Sequence, residues 1–376
     1  MSIIAGVDVG KNSVTVCLLS EIPEDLKRFS RKHSCVQFEA TKTGIEAFLA
    51  LKFDVAILEP TGIHYSQIWA HYLKATGRKI KWVGHREIHY YREAHGLPNK
   101  SDNADAIALA AYGLTHLDQP HYFLRNQGSI IREFGLQLEF LSRSGVPMIN
   151  RMRQQLAHEC PEIADKALIR EWGGRSPGLL DAIAGDRPRP MWQKLIESSI
   201  GTGITPFTRG LATQLLLIDE QERTLEAQID AELEKSDYQK YLVAFERFCI
   251  TGRLRVSLLS EIYPIEQYLK DGKPIIERVN GCKHYRSLAA FKLGLGMGMV
   301  QYQSGGQQRW KPGGNAHLRT QLWRWCKMIV VISQRDCGSD VDRYREYYKS
   351  PASGIRNQKI MRTVRRMIED LFYALI

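Results

Sequence analysis

The chain has 376 residues, 44% of them hydrophobic and 25% charged, with a formal net charge of +11. That length accommodates two or three domains with sizeable cores, and the apolar content excludes a globally disordered chain. No apolar stretch approaches the ~20 residues that span a bilayer, and Asp8 interrupts the N-terminus before any run of signal-peptide length, so a cytoplasmic protein without a membrane partner is expected.

The first 120 or so residues alternate strand and helix patterns. Ile3–Val9, Ser13–Leu19 and Cys35–Glu39 read as strands, followed by a helix over Thr43–Leu51. Asp54–Leu58 is a buried strand stopped by Glu59-Pro60, Ile68–Ala75 a helix, Lys79–Val83 a strand, and Asp102–Gly113 a helix with a Ser/Asp cap. This order is that of an α/β domain on a mixed sheet. Residues 128–245 lack clear strands apart from a loop-like interruption at Gly173–Pro190. There Leu211, Ile218 and Leu225 recur at sevens, with Leu215 and Ile229 on the second seam position, Glu222 interrupting it and Leu233 one place past the next turn of the repeat. The pattern fits a short coiled coil or a long amphipathic helix folded on its own domain. From Glu246 onward the chain expects helices over Arg255–Tyr263, Ser287–Phe291, Ala316–Ser333 and from Arg356, with a glycine-rich loop, Gly294–Asn315, between the second and third. The fold class is therefore α/β plus α, in three parts: 1–127, 128–245 and 246–376.

The positive excess falls entirely in residues 246–376; the rest of the chain is close to neutral. A soluble domain that is merely basic accounts for this, as does a polyanion partner, of which nucleic acid is the commonest. Seven cysteines are scattered, an odd number with no pair at CxxC spacing. Neither a zinc site nor a disulfide framework is expected, and a reducing compartment fits.

Four acids stand out by position. Asp8 ends the first strand, Glu59 ends a central one, and Asp102 and Asp105 share the first turn of a helix, where an i,i+3 pair faces one way. Strand ends of open sheets converge on a shared edge. Clustered carboxylates repel unless protons or cations lie between them, and hard oxygen donors suit Mg²⁺, with Mn²⁺ as a substitute. Paired metals of this kind stabilise the attacking and leaving oxygens of phosphoryl transfer. Taken singly, each acid also fits a turn or a helix cap.

In the last third, Gln303-Ser304-Gly305-Gly306 places a serine on a glycine turn, followed by Arg309, Lys311, His317 and Arg319. Glycines admit a phosphate close to the backbone, and the helix opened by GNAHLR offers an anion site. Most serines in such loops are turn formers, and no residue nearby is an obvious base. Two stretches interleave cations with aromatics, Lys79–Lys100 and Arg309–Lys327. Such mixtures stack on bases and hold phosphates, or bury their tryptophans in a core, the latter expected for at least one of Trp323 and Trp325. Arg362, Arg365 and Arg366 lie on a broad basic face of the last helix, solvated or turned to phosphates.

The segments GVDVGK (Gly6–Lys11), LEPTG (Leu58–Gly62) and KSDNADA (Lys100–Ala106) resemble the N-terminal motifs of the IS110-type transposases. The stretch Leu288–Arg319 resembles the C-terminal domain of that family through Ser304-Gly305, Gly313, Gly314, Asn315, Leu318 and Arg319. The resemblance implies a ribonuclease-H/RuvC-like domain in which Asp8, Glu59, Asp102 and Asp105 hold Mg²⁺, with Lys100 near a phosphate. It implies Ser304 as the nucleophile of a 5′-phosphoserine bond to DNA, with Tyr302 as a local rival. Arg309, Lys311, Asn315, Arg319 and the three arginines of the last helix are the candidate nucleic-acid contacts beside them. The resemblance also implies a structured guide RNA, a homodimer or homotetramer in which one subunit's acids meet another's serine, and a nucleoid-associated protein. Ile250–Pro264 departs from the family, having lost most glycines of its helix–hairpin–helix stretch. Other classes consistent with parts of the sequence are a RuvC-like endonuclease using metal-activated water, which needs the acids but not Ser304, and a non-catalytic nucleic-acid-binding protein. An actin-like ATPase also shares GVDVGKNSV but would need a second phosphate loop.

Overall fold

The structure, a computed structural model of the full chain, describes all residues except 1, 62–63, 98–99, 125–128, 167, 170–171, 175–176, 187–188, 305–306 and 351–354, and except the side chains of 304 and 307. It divides into two compact units, Met1–Gly128 and Ser129–Ile376.

The first unit runs β1 (Ile4–Val9), β2 (Ser13–Leu19), α1 (Leu26–Lys32), β3 (Val36–Glu39), α2 (Lys42–Leu49), β4 (Val55–Leu58), α3 (Tyr65–Ala75), β5 (Lys79–Trp82), α4 (His85–Ala94) and α5 (Asp102–His116). Its five strands stand in the order β3-β2-β1-β4-β5. The first three pair antiparallel, β1 and β2 through a tight turn and β3 after α1, whereas β4 and β5 join in parallel after helical crossovers. Both faces of β1 are covered, which explains its unbroken apolar run. Ala5, Val7 and Val9 pack with Phe48, Trp69 and Leu73 on one side. Ile4 packs with Ile57 and with Ile107, Ala110 and Ala111 of α5 on the other.

Helix α5 is buried from Ala104 to Gly113. Its alanines let the backbone come down on the sheet, and Gly6 completes the fit: a Cβ there would overlap the Ala106 carbonyl oxygen and the Ala110 amide. Gly6→Val is therefore expected to lower stability by about 1–3 kcal/mol or more, because overpacking must push α5 off β1. Urea unfolding checks this; a wild-type midpoint would mean that α5 is not seated as described.

In the second unit, α6 (Ile130–Glu159) and α9 (Pro206–Leu233) form a long antiparallel pair, with α7 (Gly178–Ala184) and α8 (Pro190–Glu197) between them in sequence. Ile149, Met152 and Leu156 meet Ala212 and Leu215 at one end, and Ile131 and Leu138 join Leu225, Ile229 and Leu233 at the other. The heptad seam of α9 is thus spent within its own unit. Glu222, the polar break in that seam, is buried against the Arg253 guanidinium, whose Nη1 donates to Oε1 at 2.9 Å.

Next come α10 (Ser236–Arg247) and α11 (Gly252–Ile262). The turn joining them takes left-handed backbone at Cys249 (φ 50°) and Gly252 (φ 56°). The segment after α11 folds as two small ribbons, β6 (Leu269–Lys270) with β7 (Lys273–Pro274) and β8 (Ile276–Val279) with β9 (Cys282–Tyr285). The unit closes with α12 (Arg286–Gly294), β10 (Gly298–Ser304), β11 (Gln307–Gly313), α13 (Ala316–Trp325) continuing as a wider coil over Cys326–Ile332, α14 (Ser339–Lys349) and α15 (Arg356–Leu375). The buried face of α15 (Val364, Ile368, Leu371, Phe372) shares one core with Val256, Phe291, Trp325 and the α6–α9 end. Residues 128–245 and 246–376, expected as separate parts, are joined by this core. Among the described residues no helix is long and apolar enough to cross a membrane.

Candidate active site

Two of the four acids are set by strand register. Val7 of β1 is opposite Leu58 of β4 in the parallel pairing, so Asp8 and Glu59 are the next pair along. Side chains alternate along a strand. Gly6 abuts α5, and Ile4 and Ile57 flank Gly113 of the same helix, so Asp8 and Glu59, two residues beyond Gly6 and Ile57, fall on the α5 side. The other two acids lie on the first turn of α5, where Ser101 Oγ accepts from the Ala104 amide at 3.2 Å and fixes the helix start. The close Gly6–Ala106 approach brings that turn beside the end of β1. The helix N-terminus also favours negative charge there.

The electrostatics show that the acids sense one another. Burial pushes the Asp8 carboxyl up to about 7, with Asp105, Asp102 and Glu59 adding to the rise and Lys100 opposing it. Burial likewise raises Glu59, against a hydrogen bond from His85. It raises Asp105 against the charges of Arg92 and Lys100. Asp8 carries the largest cost of ionisation among the three.

His85 and Arg92 were not singled out as partners of the acids from sequence. His85 opens α4 and its Nδ1 contacts Glu59 Oε2. Arg92, two turns on, is buried and its Nε lies 2.8 Å from Asp105 Oδ1. A seven-residue spacing puts both on one helical face, and that was the available signal in a stretch read as a base-stacking surface. Arg92→Met would leave Asp105 without its charge partner, an expected loss of ~3–5 kcal/mol. Thermal unfolding checks it, and the loss should shrink at acid pH, where the carboxyl is neutral.

The donor set of hard oxygens, with a repulsion that only protons or cations relieve, fits Mg²⁺ or Mn²⁺. No three acid oxygens of the described residues, one from each acid, lie within 4.8 Å of one another; the one set of three metal-ligand atoms that does, among the histidines, cysteines and acids described, is Cys17, His33 and Cys35.

In the second unit, Ser304 ends β10 and its backbone pairs with Gln307. The glycine-rich segment expected as a loop is largely a β-hairpin. Gly305 and Gly306, and the Ser304 side chain, lie outside what the structure describes. Tyr302 pairs with Arg309 across the ribbon, and Lys311 Nζ sits 3.8 Å from the Tyr302 ring centroid. Val300, Tyr302 and Trp310 are exposed along it. At its base Arg319 Nη1 donates to the Gly296 carbonyl at 2.9 Å, and Asn315 both caps α13 and donates to Glu261 Oε1 at 3.0 Å. These two side chains hold the hairpin on its unit.

Lys100, Arg309 and Lys311 are exposed. On α15, Arg362 donates to the Tyr347 carbonyl at 3.2 Å, Arg365 contacts Met299 Sδ at 3.1 Å, and Arg366 pairs with Asp370 at 3.4 Å. The basic face of α15 is thus partly tied to neighbouring elements. Trp325 is buried and donates to the Phe248 carbonyl at 3.0 Å.

Residues 5–161 match the family model of the IS110-type DEDD transposases, described as a transposase. No curated protein matches the chain.

Proposed function

Over residues 5–161 the chain belongs to the IS110-family DEDD transposases, and from that premise we propose a recombinase that cleaves and rejoins DNA with Mg²⁺-holding carboxylates and a serine nucleophile. The observation that carries the reading is positional: Asp8 and Glu59 follow the paired ends of β1 and β4 on the side covered by α5, whose first turn carries Asp102 and Asp105, near enough for the other three acids to raise the Asp8 carboxyl. Asp8, Glu59, Asp102 and Asp105 would hold the metal, which supplies charge stabilisation to the phosphate and its oxygens. His85 and Arg92 orient Glu59 and Asp105, and Lys100 adds positive charge at the cluster's rim.

Ser304 Oγ attacks a DNA phosphorus. The P–Oγ bond forms as the P–O3′ bond breaks, and the proton the serine hydroxyl gives up is balanced, through solvent, by the one the departing 3′ oxygen takes up. Rejoining is the reverse, with the 3′-hydroxyl of another strand. The hairpin supports this role: it ends at Ser304 and presents Arg309, Lys311 and exposed aromatics, the side-chain mixture that grips strands. A structured guide RNA, an oligomer sharing acids and serine between subunits, and residence on the nucleoid belong to the same proposal.

The test is to trap a DNA–protein adduct from wild type and Ser304→Ala with Mg²⁺ present, and to sequence the RNA that copurifies. An adduct from wild type alone supports the scheme. Equal cleavage by both without adduct replaces it with a metal-activated water.

A further inference from the structure

Cys17, His33 and Cys35 lie far from any recognised metal spacing, yet their Sγ and imidazole nitrogen atoms fall within 4.8 Å of one another. We propose that they form a separate site for a single thiophilic divalent cation, Zn²⁺ by its chemistry. Three features of the fold converge on it. The β2–β3 register pairs Val16 with Val36, so that Cys17 and Cys35 are the next opposed positions. Cys17 is fully buried, beneath the sheet face that carries α5. His33 follows α1 directly, and its ring stacks on Phe29 with centroids 4.6 Å apart and planes 18° from parallel.

The surroundings are built to hold this geometry. Asn103 Oδ1 accepts from the Cys35 amide at 2.7 Å, and its Nδ2 donates to the His33 carbonyl at 3.1 Å. The connection between α1 and β3 is thereby fastened to α5. Two sulfurs and one imidazole are the donors that Zn²⁺ favours over Mg²⁺, and three protein ligands leave a fourth tetrahedral position for water. Binding releases the two thiol protons to solvent. Because Asn103 stands between Asp102 and Asp105, the ion would brace the helical turn that carries both acids.

The experiment titrates the purified full-length protein, reduced and with Mg²⁺ in excess over the acid site, with Co²⁺ and then Zn²⁺. One equivalent of Co²⁺ should give thiolate-to-metal charge-transfer absorption, which Zn²⁺ abolishes. Cys35→Ser and His33→Ala, at less buried positions than Cys17, should each weaken binding about tenfold or more, while Asp8→Asn leaves the absorption unchanged. Absence of the absorption, its survival in Cys35→Ser, or a Cys17–Cys35 disulfide that persists in reducing buffer without metal uptake would each overturn the site.

Discussion

Asp8→Asn is expected to lower strand cleavage by on the order of 10²–10³-fold or more, and at the same time to stabilise the metal-free protein at neutral and alkaline pH. The two effects have one cause. The folded chain holds the Asp8 carboxyl near 7 against an ordinary value of 3.8. Below about pH 4 the group is protonated in both states and contributes nothing. Between there and pH 7 the folded state binds a proton that the unfolded chain has released, so stability falls as pH rises, and the full cost stands above pH 7. The shift sets an upper bound of ~4 kcal/mol, and partial solvent access reduces this to about 1–2 kcal/mol. Asparagine removes the term. Magnesium removes it in a different way: a ligand at a hundred times its Kd adds ~2.7 kcal/mol, and it should do so for wild type and far less for the variant. Thermal unfolding from pH 4 to 9, with and without Mg²⁺, reads both. A variant as pH-sensitive as wild type, or stabilised equally by Mg²⁺, would remove Asp8 from the metal-holding set.

What could be read from the sequence followed from local rules. The five strands of the first unit, three of its helices and the Ser101 cap are encoded within short windows, and the structure has them at nearly the same residues, whereas α1 and α4 were not expected. The approach of α5 to β1 is also visible in hindsight, since Gly6 and an alanine-rich helix mean little unless two backbones meet. Pairings between distant residues were hidden. Nothing in a single window says that Arg92 turns onto Asp105, because the stretch around it carries enough cations and aromatics to pass for a binding surface.

The glycine-rich segment illustrates a different failure. Glycines at 294, 296, 298, 313 and 314 suggest a loop, but they cluster at the two ends of the hairpin. Left-handed backbone at Gly296 and Gly314 turns the chain into and out of the ribbon. Between them, Val300 and Tyr302 alternate in the way a strand requires. Averaging composition over the segment erased that pattern. The Cys17–His33–Cys35 convergence was hidden for a related reason: sequence rules for metal sites look for ligands on one loop, and here sheet register brings β2 to β3.

Ser304→Ala should abolish the covalent adduct and reduce recombination by at least ~10⁴-fold, the scale on which loss of a nucleophile registers. It should leave folding, Mg²⁺ binding and the pH profile of stability unchanged, because the substitution falls at a hairpin tip in the second unit while the acids belong to the first. Tyr302→Phe is the companion variant: its ring packs under Lys311, and with that packing kept, adduct formation should persist. Mixing then tests how the site is assembled. If one subunit's carboxylates act with another's serine, inactive Asp8→Asn and inactive Ser304→Ala proteins should together recover part of the wild-type adduct yield, since some mixed assemblies pair an intact acid cluster with an intact hydroxyl. If each subunit acts alone, the mixture stays dead. A fully active Ser304→Ala protein would leave water as the nucleophile, and would reduce the chemistry to what the carboxylates of the first unit can do with metal alone.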